Sequence, residues 1–64
     1  MFRVFSHDHD GYNKTGPPFE SFEQAYAYAR AALDDYAQRW GDYRYWRDAL
    51  IEENGKRIAV VYPK

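Results

Sequence analysis

Ser21-Phe22-Glu23-Gln24-Ala25-Tyr26-Ala27-Tyr28-Ala29-Arg30-Ala31-Ala32-Leu33-Asp34-Asp35-Tyr36-Ala37-Gln38-Arg39-Trp40 is the stretch on which the fold turns. Ser21 followed three residues later by Gln24 is a capping box: two side chains satisfy amides that have no intrahelical partner. Glu20 and Glu23 lie at the positive end of the helix dipole. Apolar residues then fall at Phe22, Ala25, Tyr26, Ala29, Leu33, Tyr36, Ala37 and Trp40. Their spacing of 3, 1, 3, 4, 3, 1 and 3 places them on one side of an α-helix of about five turns. Gly41 follows, where a left-handed residue ends a helix. This reading buries Phe22, Tyr26, Tyr36 and Trp40 and leaves Tyr28 on the outer side.

Downstream, Glu53-Asn54-Gly55-Lys56 separates two β-prone runs. Asn-Gly there marks a two-residue hairpin, because a type I′ turn needs positive φ at both positions. A regular register pairs Glu53 with Lys56, and so Ile51 with Ile58, Ala49 with Val60 and Arg47 with Tyr62. The helix is expected on that face. The opposite face carries Glu52 with Arg57, Leu50 with Ala59, Asp48 with Val61, and Trp46. Upstream, Phe2-Arg3-Val4-Phe5-Ser6 reads as a strand, and His7 to Phe19, with Gly11, Gly16, Pro17 and Pro18, as a loop. Ile58-Ala59-Val60-Val61-Tyr62 has no charge and suits a central strand. The expected fold is therefore α+β: one β-α-β-β domain over residues 1–64, with a helix on a three-stranded antiparallel sheet in the order 1-3-2 and a right-handed crossover.

At 64 residues the chain is one small domain, expected to bury only about 60% of its unfolded surface. It has no cysteine, which excludes disulfides and Cys-based zinc sites. Seven Tyr, four Phe and two Trp supply the bulk for a core instead. A net charge of −1 argues against general polyanion binding by the whole molecule. A basic-then-apolar leader and an apolar run long enough to span a membrane are both missing, so a soluble, cytoplasmic protein is expected.

Reactive constellations are sparse. His7 and His9 lie two residues apart and would point to one side of an extended strand, a spacing able to chelate a transition metal. The plainer reading is a solvated junction with Asx turns, so no metal and no cofactor are expected. Asp8, Asp10, Gly11 and Asn13 lack the calcium-loop spacing. Ser6, Thr15 and Ser21 have only those histidines as candidate bases, and Asp34-Asp35 and Glu52-Glu53 are adjacent pairs whose side chains diverge. A non-enzymatic protein is the expectation.

Charge is distributed unevenly. Residues 20–42 hold five acids and two bases, whereas residues 43–64 hold three acids and five bases. Ordinary solubility and i,i+4 pairs such as Arg30–Asp34 explain much of this. A sharper reading gives the helix side, with Tyr28, Asp34 and Asp35, then Asp42 and Trp46, to docking on a basic protein surface. An alternative places single-stranded nucleic acid on the outer sheet face, stacked on Trp46 beside Arg44 and Arg57. Tyr12 is a further exposed aromatic suited to binding. Leu50, Ala59 and Val61, with Trp46, would otherwise form a dry patch for a partner or a second copy, consistent with a monomer or weak homodimer.

In size, architecture and charge layout the whole chain resembles the small cysteine-free domains encoded by bacteriophages, of which anti-CRISPR proteins are a group. The resemblance implies an inhibitor that binds a protein subunit of a host nucleic-acid-handling complex in the bacterial cytoplasm, with an acidic surface standing in for DNA. Ser21-Phe22-Glu23-Gln24-Ala25 is also similar to the helix start of small bacterial strand-helix-hairpin domains, which implies an adaptor role.

Overall fold

Ser21 caps the helix in a computed structural model that describes residues 1–8, 11–40 and 47–62, and Gln24 reaches back one residue beyond the expected amide. Ser21 Oγ accepts the Gln24 amide at 3.2 Å, and Gln24 Oε1 accepts the Glu20 amide at 3.3 Å. Helix α1 runs over Phe22–Trp40, between strands β1 (Phe2–Asp8) and β2 (Gly11–Phe19) on one side and β3 (Asp48–Glu53) and β4 (Lys56–Val61) on the other. Asn54 and Gly55 have φ of 53° and 82°, the two positive values that the hairpin turn requires. The α+β class and the helix match the sequence reading; the sheet differs in three ways.

First, the sheet has four antiparallel strands, in the order β2-β1-β3-β4. The stretch read as a loop is a strand, pairing from Asp8↔Gly11 through Val4↔Thr15 and again at Phe2↔Phe19. Pro17 and Pro18 fit because β2 is an edge and they fall where its register with β1 is irregular. Second, β1 lies beside β3 rather than the last strand, with Val4 opposite Ile51. Ala49, Leu50 and Ile51 are consecutive and all buried, as in a strand covered on both faces. Ile58–Val61, read as central from its lack of charge, lies at the opposite edge.

Third, the β3–β4 register shifts between Ile51 and Glu52, so Ile51 faces Ala59 and Ala49 faces Val61. Ile58 is the extra residue, and such a bulge exchanges the two faces beyond it. Ile58 is consequently 41% exposed, while Val61 enters the core.

That core is Val4, Ala25, Ala29, Leu33, Ala49, Ile51 and Val61, all on the helix-facing side. Ala25, Ala29 and Leu33 follow one another at four-residue intervals, and the two alanines let the helix lie close against the sheet. The helix is rotated from the predicted stripe. Phe22 and Tyr26 are 36% and 42% exposed, whereas Tyr28 is half-buried and packs against the core. Tyr28 lies against Phe19, ring centroids 5.2 Å apart, and above Gly16, where an added Cβ would stand 2.5 Å from the tyrosine ring. Helical periodicity alone could not choose between two overlapping stripes, and the larger side chains drew the prediction to the wrong one. The side chains of Ala37 and Trp40 lie outside the described set.

Candidate functional site

Two surfaces follow from this arrangement, one on the helix and one on the far side of the sheet. On the helix, the Phe22 ring meets Phe2 edge-on at 6.3 Å and lies 6.1 Å from Tyr26. Helical geometry puts Tyr26, Glu23, Arg30 and Asp34 along one flank, with Asp35 and Tyr28 on the other. Arg30 crosses from the helix to the sheet, donating from Nη1 to the Tyr62 carbonyl at 2.8 Å and from Nη2 to Asp34 Oδ1 at 3.4 Å. This ion pair keeps 22% and 32% of its side chains exposed, so it contributes at most a few tenths of a kcal/mol. Asp35 is exposed. Among the described side chains of this helix, the aromatic pair open to solvent is thus Phe22 and Tyr26. Tyr28, expected to bind, has a packing position instead.

The far side of the sheet is set by strand alternation. Because Val4, Ala49 and Ile51 face the helix, Arg3, Phe5, His7, Asp48, Leu50 and Glu52 face away. Register completes three cross-strand rows: Arg3, Glu52 and Arg57; Lys14, Phe5, Leu50 and Val60; Tyr12, His7 and Asp48. His7 donates from Nδ1 to Asp48 Oδ2 at 3.1 Å and stacks on Tyr12 with centroids 4.2 Å apart and planes 19° off parallel. The Arg57 guanidinium carbon stands 5.6 Å from the centre of the Tyr12 ring.

Tyr12 and Arg57 belong to the two edge strands and to the outer two rows, so their contact crosses the face diagonally above the Phe5–Leu50 row. Sheet twist brings such opposite corners together. Leu50 beneath is 2% exposed although it points away from the helix. At an exposed site a cation–π contact is worth about 0.5–1 kcal/mol, enough to bias Arg57 toward the ring and small enough to be exchanged. Asp48 Oδ1 and Arg3 Nε are buried without a hydrogen-bond partner among the described residues.

Among the remaining site expectations, Arg57 is exposed on the sheet face turned away from the helix and stands beside the Tyr12 ring. Asp42, Arg44 and Trp46 lie outside the described residues, as do His9 and the His7/His9 pairing. Among the described residues no group of three or more His, Cys, Asp or Glu is arranged for a metal, no enclosed pocket occurs, and no helix is long and apolar enough to cross a membrane. The Phe22–Tyr26 pair was missed because the predicted stripe buried it. Tyr12 was recognised as a candidate, but the strand that carries it was not. Compared with protein-family models, curated proteins and solved structures, the chain matches none.

Proposed function

We propose that the chain is a non-enzymatic protein-binding domain, an inhibitor or adaptor that docks through its acidic, aromatic helix surface on a basic surface of a larger protein. Proteins that handle nucleic acid, CRISPR effectors included, present basic surfaces of this kind. The observation that carries the reading is the exposure of Phe22 and Tyr26 beside Glu23 on a helix segment of net negative charge. Large aromatics left in water next to acids combine an anchor that gains by desolvation with a field that speeds encounter with a cation. Of the sequence's docking residues, Asp34 shares the Tyr26 flank, where Arg30 pairs with it, and Asp35 adds its charge from the opposite flank; Tyr26 takes the anchoring role first given to Tyr28.

Affinity capture from bacterial lysate, run in parallel with wild-type and variant chains, tests the reading. Tyr26→Ala is expected to weaken retention of a specific partner about thirtyfold, as loss of an anchor of ~2 kcal/mol would. The double change Asp34→Lys and Asp35→Lys should abolish retention; Tyr26→Ala, at an exposed position, should melt close to wild type, while the double change loses up to about 1 kcal/mol with the half-buried Arg30–Asp34 pair. A partner held equally by all three chains refutes docking through this surface.

A further inference from the structure

The second surface carries an inference independent of the first: we propose that the sheet face turned away from the helix binds single-stranded nucleic acid, with Tyr12 as the stacking platform. Three observations lead there. The ring is 41% exposed, yet His7 lies parallel beneath it and holds it in place. Among the described residues, the two acids of the face both stand on the inner strand β3, Asp48 against His7 and Glu52 between Arg3 and Arg57 in register. Lys14 and Arg57, by contrast, stand on the outer strands and are exposed. What a ligand meets first is therefore a pair of cationic margins with an aromatic ring at one corner.

A base has a π-face whatever its identity, and stacking a base on an aromatic ring generally outweighs an exposed cation–π contact. An arriving base takes the Tyr12 ring from Arg57, and the freed guanidinium, with Lys14 and Arg3, takes the phosphates. The guanidinium thus serves as an internal stand-in for the ligand until displaced. Duplex cannot do the same, since its bases are already stacked and paired.

Fluorescence anisotropy of a labelled oligothymidylate of about twelve nucleotides, titrated from about 20 to about 200 mM salt, tests this. Three phosphate contacts predict a slope of log K against log salt near −2, hence roughly a hundredfold weakening across that range. Tyr12→Ala should cost about tenfold or more, whereas Tyr12→Phe keeps the ring and should bind as wild type does. Lys14→Glu with Arg57→Glu, both at exposed positions, should weaken binding and flatten the salt slope even if Tyr12→Ala disturbs the sheet. The proposal is overturned by no binding at low salt, by a folded Tyr12→Ala that binds normally, or by a duplex of equal length binding as tightly as the single strand.

Discussion

The two faces of one sheet solve the problem of burial differently. Toward the helix, Val4, Ala49, Ile51 and Val61 are all buried and meet Ala25, Ala29 and Leu33, so water is excluded by one rigid element. Away from it, Leu50 is just as buried, yet the side chains that meet above its row are a tyrosine and an arginine from the two edges. A helix seals a face permanently, whereas a cation–π contact of about 0.5–1 kcal/mol can be exchanged for another partner. The comparison teaches that the same strands build a structural side and a side suited to exchange.

The largest expected effect tests how deep that difference runs. Leu33→Ala should cost about 2–5 kcal/mol, a large share of the roughly 3–10 kcal/mol that a domain of this length has in total. Leu50→Ala belongs in the same range if the far side is equally close-packed. A Leu50→Ala cost below about 1 kcal/mol, read by chemical denaturation, would show that this cover excludes water without packing tightly.

Gly16→Ala is expected next, at about 1–3 kcal/mol, since its φ of 75° disfavours a side chain and the new methyl would strike Tyr28. Thermal melts of Gly16→Ala, Tyr28→Ala and the double variant should be non-additive, the second change recovering part of the loss. Strict additivity would remove the contact between β2 and the helix from the account. The smallest effect belongs to Ile58→Ser, expected within about 0.5 kcal/mol because the bulge turns Ile58 outward. In the regular register the same change would empty a core position, so a loss above about 2 kcal/mol would restore the unbulged hairpin.

These residues also show what was legible beforehand. Ser21, Gln24 and Asn54-Gly55 act through local geometry, so the helix start and the second turn could be read without knowledge of the rest. The first hairpin was hidden by Pro17 and Pro18, whose exclusion from central strands does not extend to edges. The bulge at Ile58 has no local signature: it is chosen by which of Ile58, Ala59 and Val60 best meets the helix, a decision made across the sheet. Tyr26 and Tyr28 differ for the same reason, since only the position of Phe19 and Gly16 decides which ring is taken inward. For the candidate surfaces, residue types were visible in advance, as with Arg57 and Tyr12, but their meeting was not, because it depends on strand order and twist.

The paired prolines in β2 have an outcome beyond this molecule. Having no amide hydrogen, the pair removes a donor from the outward side of β2, so a strand added along that margin meets an interrupted ladder near Pro17 and Pro18. Strand addition is then favoured at β4, and two copies joined there would leave proline-bearing margins at both ends. The residues that made this segment look unstructured thereby protect a small, aromatic-rich protein from polymerising.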